Sequence, residues 1–150
     1  MRNVIIPFLT VICLIPTTGI NVSADEILTQ PSETTLYSVG IISSYSVGIS
    51  GSGKSVLLNA KTYTSQTAKY VGLKNIVIQQ STNNNNWSDY ITVDDLLAED
   101  STKYIASGKN IATVTGGYYY RVTCKHYAKE SGLFGSSESI SNTSNSIYIP

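Results

Sequence analysis

The residues with the sharpest chemical signature form the string Gly48-Ile-Ser-Gly-Ser-Gly-Lys-Ser55. Its spacing is that of a phosphate-binding loop, in which Lys54 would contact the terminal phosphates, Ser55 would hold Mg²⁺, and a helix would follow. The next eight residues, 56–63, instead alternate at period two, which is typical of a strand. The later apolar run Ile76–Ile78 is followed by glutamine and not by an aspartate that could bind the metal. We therefore interpret the string as a glycine-rich turn and predict no bound nucleotide and no cofactor.

Candidate catalytic groups are few. His126 is the only histidine, so a metal site would have to combine one imidazole with carboxylates, and no spacing supports that arrangement. Asp94-Asp95 and Glu99-Asp100 are acidic pairs, but no pattern places them across a cleft as glycoside hydrolysis requires. We predict no catalytic residue and no metal site, with His126 in a structural role. The alternative is a small extracellular hydrolase or toxin-like effector that uses His126 with a serine or an acid.

Aromatic side chains are the best candidates for binding. Tyrosine and tryptophan combine an apolar ring with a polar group, and among serine and asparagine they suit the recognition of sugars or proteins. The opposing interpretation is that these rings pack across strands and hold a sheet together. The candidate binding residues are Trp87, Tyr90, Tyr119 and Tyr127. Expected partners are a glycan or a protein at the cell surface.

Charge excludes some partners. The chain of 150 residues has 10 basic and 10 acidic side chains, and charged residues make up only 13% of it. Without a run of lysine or arginine, it lacks the positive surface that binds nucleic acid or an anionic membrane. We therefore predict no nucleic-acid partner.

The first 24 residues have the features of a secretory leader. Arg2 precedes an apolar run from Val4 to Ile15, and Val22-Ser23-Ala24 provides the compact residues that signal peptidase reads. A run of about 12 apolar residues is shorter than the roughly 20 that span a bilayer. We predict a signal peptide over 1–24 and a secreted domain over 25–150 with no membrane span after cleavage.

The leader also removes one of the two cysteines. Cys13 lies in the apolar run, so Cys124 is alone in the predicted secreted domain and no disulfide can form within it. The pattern favours Cys124 as a small buried side chain on a strand. A reactive or dimer-forming thiol is the alternative.

The elements that position these residues are strands. Over Tyr118–Tyr127, the side chains of Tyr120, Val122 and Cys124 fall on one face, which predicts a strand with one buried side. A hairpin is predicted about the glycine-rich turn and a second about Asn83–Asn86, with Trp87 just past that turn.

The remaining segments predict short elements. A leading arm or edge strand is expected at 25–35, short strands at 104–106 and 111–114, and a last strand ending at Ile149. Residues 64–72 and 94–101 each could hold one helical turn. No segment has a long helical period, so the sequence predicts an all-β fold, a single antiparallel β-sandwich.

Two resemblances follow from these motifs. Tyr120-Arg-Val-Thr-Cys124 resembles the F strand of fibronectin type III and related immunoglobulin-like domains, which implies that the Tyr120 hydroxyl binds backbone a few residues upstream. A longer order of motifs is similar to a family of small secreted proteins from Gram-positive spore-forming bacteria whose function is not assigned. That resemblance implies a secreted bacterial protein and brings no activity with it. Its motifs are Ile76–Ser81, the asparagine turn, Trp87, Gly117–Val122, His126 and the serine-rich tail from Glu138.

Taken together, these patterns predict a non-catalytic extracellular binding or surface-interaction module.

Overall fold

A computed structural model describes residues 36–37 and 40–150. The predicted leader, its cleavage site and the predicted arm at 25–35 lie outside the described residues. The described chain is built from strands that pair antiparallel, and the predicted all-β fold is confirmed. The strands are β1 (Leu36–Tyr37), β2 (Ile42–Ser52), β3 (Ser55–Ser81), β4 (Ser88–Val93), β5 (Leu96–Thr113), β6 (Tyr118–Lys129), β7 (Ser137–Thr143) and β8 (Ile147–Ile149).

The 27-residue strand β3 organises the sheet. Its first half, 55–64, pairs with β2 on one edge and with the second half of β5 on the other. Its second half pairs with β6 on one edge, and with β4 and the first half of β5 on the other. Because β5 follows the same edge of β3 on both sides of the bend, β2 and β6 must share the opposite edge.

The sheet curls at a bend in β3. The register of β3 against β5 shifts between Tyr63 and Ala68, and residues 65–67 at this bend are exposed. The bend brings β2 against β6, β7 and β8, so the two halves of the sheet face each other across one core. Both halves are continuous through β3 and β5, whereas the two sheets of an immunoglobulin domain are made of separate strands.

The core follows from the period-two pattern. Alternate residues of β3 from Val56 to Thr62 are buried, as are alternate residues of β6 from Tyr120 to Ala128. The predicted inward face of β6 is therefore confirmed. Burying one large aliphatic side chain contributes roughly 1.5–3 kcal/mol. The largest buried aliphatic side chains are Ile42, Ile49, Leu58, Leu73, Ile76, Ile78 and Ile149.

Side chains complete the pairing of the free edge of β2. The side-chain amide of Asn145, between β7 and β8, accepts from the Ile49 N–H at 3.1 Å and donates to the Ile49 carbonyl at 3.3 Å. Farther along β2, the Ile42 N–H donates to Glu138 Oε2 at 2.8 Å. Polar backbone groups at a sheet edge need such partners. These contacts connect β2 to β7 and to the segment between β7 and β8 in the facing half of the sheet.

Tyr120 makes the contact that its resemblance implies. Its ring is buried, and its hydroxyl donates to the Thr115 carbonyl at 2.6 Å. This hydrogen bond fixes the chain as it enters β6, in the manner of the tyrosine corner of immunoglobulin-like domains.

The asparagine turn is also confirmed. Gln80 pairs with Ser88 at the end of a β3–β4 hairpin, and Asn84 has a φ of 56° at its turn. Asn83 Oδ1 accepts from the Asn85 and Asn86 N–H groups at 3.0 and 2.8 Å. Asparagine suits this turn because it tolerates left-handed geometry and bonds nearby backbone.

Three segment predictions were wrong. The expected helical turn at 64–72 is part of β3, and that at 94–101 is part of β5 from Leu96 onward. The separate strands expected at 104–106 and 111–114 are, up to Thr113, parts of the single strand β5. The polar composition of these segments gave no strand pattern, although their backbone groups pair between the long strands β3 and β5. Asp100 and Gly108, with φ of 45° and 61°, adopt left-handed conformations along β5.

Candidate binding surface

The glycine-rich string forms the β2–β3 hairpin. Gly48 and Gly51 lie in the ladder opposite Asn59 and Val56, and Ser52 pairs with Ser55 across the turn. Gly53 has a φ of 54°, which glycine adopts without strain. Lys54 is exposed in this turn and begins no helix. The string therefore forms two paired strand ends with a turn between them, and the predicted turn is confirmed.

His126 is sealed inside the core. Its exposed fraction is 0%, and Nδ1 lies 2.7 Å from the Thr62 hydroxyl, which donates to the Gly72 carbonyl at 3.2 Å. The Tyr45 ring lies 5.0 Å from the imidazole, centroid to centroid, and Nε2 has no hydrogen-bond partner. Burial lowers the pKa of His126 to about 4.

This geometry removes His126 from catalysis. The hydroxyl that is hydrogen-bonded to its ring belongs to Thr62, whose exposed fraction is also 0%. A general base must reach the proton that it abstracts from a bound substrate. The hydrolase hypothesis therefore loses the residue on which it depended.

Cys124 lies on the same inner face with an exposed fraction of 3%. Burial raises the pKa of its thiol to about 12, so the thiol stays protonated at neutral pH. The thiolate is the reactive form of cysteine, so this side chain acts as a small hydrophobe.

The acidic pairs take part in surface contacts. Asp95 accepts from the Asn75 N–H at 3.0 Å and lies 3.9 Å from Lys74 Nζ. Asp100 lies 3.3 Å from Lys69 Nζ. Exposed pairs of this kind contribute little to stability. Within residues 36–37 and 40–150, no group of three His, Cys, Asp or Glu side chains could hold a metal ion.

Three of the four predicted aromatic residues lie on the outer face of the β4–β3–β6–β8 layer. The Arg121 guanidinium lies 4.3 Å above the centroid of the Trp87 ring. Tyr119 and Tyr148 pair across β6 and β8 with ring centroids 5.0 Å apart. Tyr127 is on the same face but about 26 Å along the strand from Tyr119, at about 3.3 Å per residue.

Tyr90 belongs elsewhere. A register shift between Ile78 and Gln79 interrupts the β3–β4 ladder at this point. The Tyr90 ring packs 5.8 Å from the buried Tyr120 ring, and its hydroxyl lies 3.3 Å from Thr115 Oγ1. The structure therefore separates Tyr90 from the other three and places it in aromatic packing at the end of the core.

The outer-face residues around Arg121 form a connected polar and aromatic surface. Arg121 Nε donates to Gln79 Oε1 at 2.8 Å, and Gln79 Nε2 donates to Asp89 Oδ1 at 2.8 Å. These contacts hold the guanidinium over the indole, where cation–π attraction adds to the packing. We name this surface the Arg121 patch. It consists of Gln79, Trp87, Asp89, Tyr119, Arg121 and Tyr148.

The Arg121 charge has no carboxylate partner. Within the described part of the chain, its bond to Gln79 is the only hydrogen bond that the guanidinium makes, and no carboxylate lies within 4.0 Å. Asp89 is engaged by the Gln79 amide. The Nη groups therefore remain available as donors to a ligand.

Sequence reasoning missed four members of the patch: Gln79, Asp89, Arg121 and Tyr148. Arg121 carried a usable signal, because it lies two residues from Tyr119 on the same predicted face. Tyr148 likewise alternates with the inward Ile147 and Ile149. Gln79 and Asp89 join the patch only through the register of β3 with β4 and β6.

A separate pocket of about 510 Å³ lies at the β3 bend. Residues 40–41, 65–68 and 130–131 line it, most of them polar, and no aromatic ring is among them. Its acidic residue, Glu130, already accepts from the Ser136 N–H at 3.2 Å. Small-molecule sites are mostly apolar and aromatic, so this pocket is the weaker candidate.

Comparison with protein-family models, with curated proteins and with solved structures gave no match to this chain. The resemblance to a family of small secreted bacterial proteins therefore stays a prediction. In the part of the chain that the structure describes, no helix has the length and hydropathy needed to cross a membrane.

Proposed function

We propose that the protein is a secreted, non-catalytic binding module that takes an extracellular saccharide on the Arg121 patch. The observation that carries this proposal is the Arg121 guanidinium, held 4.3 Å over Trp87 with Nη donors that have no partner in the described residues. The burial of His126 supports the non-catalytic part, and the predicted leader supports export.

A saccharide fits this chemistry better than a protein does. Arginine and aromatic side chains are common in protein interfaces as well, but aspartate is depleted there, and the patch has Asp89 near its centre, bonded to Gln79. Ring faces flanked by hydrogen-bond donors and acceptors match the alternating C–H and hydroxyl surfaces of a sugar. The unpaired guanidinium favours a saccharide that carries a carboxylate.

A glycan array followed by calorimetry tests this proposal on the secreted domain. We expect the wild-type protein to bind acidic saccharides. Trp87→Ala and Arg121→Gln should each raise the Kd at least tenfold, which corresponds to about 1.4 kcal/mol of binding free energy. Tyr127→Ala is the matched control, since it removes an aromatic ring from the far end of the same face and should leave the affinity unchanged.

Two results would contradict the proposal. One is that the wild-type protein binds no saccharide on the array. This result contradicts the proposal also when a pull-down from the cell envelope identifies a protein partner. The other is saccharide binding that survives both patch substitutions in folded variants.

A further inference from the structure

The loop between β6 and β7 contains two large apolar side chains that are almost fully exposed to solvent. Leu133 and Phe134 have exposed fractions of 92% and 94%. Every other large hydrophobic side chain of the described residues is at most 45% exposed, the next being Ile105. Two adjacent side chains of this size, fully exposed, mark an interaction site.

The loop presents this pair on a closed turn. The Glu130 N–H donates to the Ser136 carbonyl at 2.9 Å, and the Gly135 N–H donates to the Gly132 carbonyl at 3.3 Å. Gly132 has a φ of 101°, and a Cβ at Gly135 would meet the Glu130 carbonyl oxygen at 2.5 Å. The two glycines therefore permit a tight turn that points Leu133 and Phe134 outward.

We propose that this turn is a membrane-interface anchor, which inserts Leu133 and Phe134 into the headgroup region of a zwitterionic bilayer. A stable protein interface buries about 800 Å² on each partner, and a phenylalanine supplies about 150–250 Å². The residues beside the pair are Ser131, Ser136 and the two glycines, so the apolar surface does not continue. A bilayer needs no matching surface, and hydroxyl groups at the rim suit hydration among lipid headgroups.

Charge decides which bilayer fits. The loop over 130–136 has Glu130 as its one charged residue and no lysine or arginine. It therefore lacks the basic cluster that draws proteins to anionic lipid. Attachment by two side chains is weak and reversible, at or below the partition constant of one myristoyl chain, about 10⁴ M⁻¹.

The anchor is independent of the Arg121 patch. Lys129, where β6 meets the loop, is about 26 Å along the strand from Arg121, at about 3.3 Å per residue. A protein attached through the loop would keep the patch in the aqueous phase. Either site can therefore fail its test without affecting the other.

Co-sedimentation with phosphatidylcholine vesicles tests the anchor on the secreted domain. We expect wild-type protein to pellet with the vesicles, and the double variant Leu133→Ser with Phe134→Ser to reduce the partition constant at least tenfold. Ile105→Ser is the matched control, because it removes a partly exposed apolar side chain from β5 and should partition as the wild type does. Replacing a tenth of the lipid with phosphatidylglycerol should leave the wild-type partition constant within about twofold.

Phe134→Trp gives a direct readout of insertion, as a blue shift of the added indole fluorescence when vesicles are mixed in. The proposal is overturned if the wild type stays in the supernatant, if the double variant pellets as well as the wild type, or if binding appears only with anionic lipid. It is also overturned if the double variant changes only the oligomeric state in size-exclusion chromatography, since the pair would then contact protein.

Discussion

Burial turns the two side chains of β6 that could do chemistry into neutral packing groups. His126 and Cys124 lie two residues apart on the inner face, with exposed fractions of 0% and 3%. Loss of hydration lowers the pKa of the imidazole to about 4 and raises that of the thiol to about 12. The directions are opposite because burial favours the neutral form of a base and of an acid alike. Arg121 is on the opposite face of the same strand, over the Trp87 ring, so β6 separates these packing groups from the surface that we propose to bind a ligand.

The lowered pKa of His126 predicts a loss of stability in acid. In the unfolded chain its pKa is the ordinary 6.5, so between about pH 6.5 and 4 the unfolded state binds the proton and the folded state does not. The stability that the neutral imidazole contributes to the folded state is fully present above pH 6.5 and falls as the pH drops toward 4. Urea unfolding at pH 7.5 and 4.5 should show a decrease of about 2 to 3 kcal/mol from this residue.

His126→Phe supplies the comparison, because phenylalanine fills the site without titrating and leaves the Thr62 hydroxyl bonded to the Gly72 carbonyl. Between pH 7.5 and 4.5, the free energy of unfolding should decrease in both proteins. The decrease should be about 2 kcal/mol smaller in the variant than in the wild type. Equal pH dependence in the two proteins would show that His126 does not titrate on unfolding as described.

At the scale of the element, turns could be predicted and strand lengths could not. The glycine-rich turn and the asparagine turn could be predicted from local sequence. Gly53 and Asn84 have left-handed φ values, and glycine and asparagine both favour that conformation. The length of β3 depends on nonlocal pairing, because the polar residues at its bend, 65–67, join two segments that pair with β2, β5 and β6. For the same reason Trp87 and Tyr119 could be proposed as binding residues, while Gln79 and Asp89 required the register.

At the edge of β2, the side chain of Asn145 bonds both backbone groups of Ile49. Asn145→Ala would leave the N–H and carbonyl of Ile49 without their side-chain partner. We expect a loss of about 1–3 kcal/mol in the free energy of unfolding, measured by chemical denaturation. Asn142→Ala is the control, since Asn142 Oδ1 accepts only from the neighbouring Thr143 N–H, and its effect should stay below about 0.5 kcal/mol. Equal effects of the two substitutions would refute the role of Asn145 in closing the edge.

For the whole molecule, the continuity of β3 and β5 joins the two halves of the sheet into one unit. A domain of two independent sheets could lose one half and keep the other. Here the same two strands supply pairing partners on both sides of the bend, and side chains of β8 such as Ile149 pack against β2 at Gly51. Local unfolding of one half would therefore disrupt β3 and β5, which also form the other half.

This continuity predicts that damage to one half lowers the stability of both. Leu58, in the first half of β3, and Ile78, in the second, each have an exposed fraction of 0%, and substitution of either with alanine should cost about 2–5 kcal/mol. Trp87 is the only tryptophan and reports on the β3–β4 end, whereas far-UV circular dichroism reports on the whole sheet. In Leu58→Ala the two signals should shift to the same lower denaturant midpoint, because unfolding is all-or-none. If the circular dichroism transition moved while that of Trp87 stayed at its wild-type midpoint, the halves would be separate folding units.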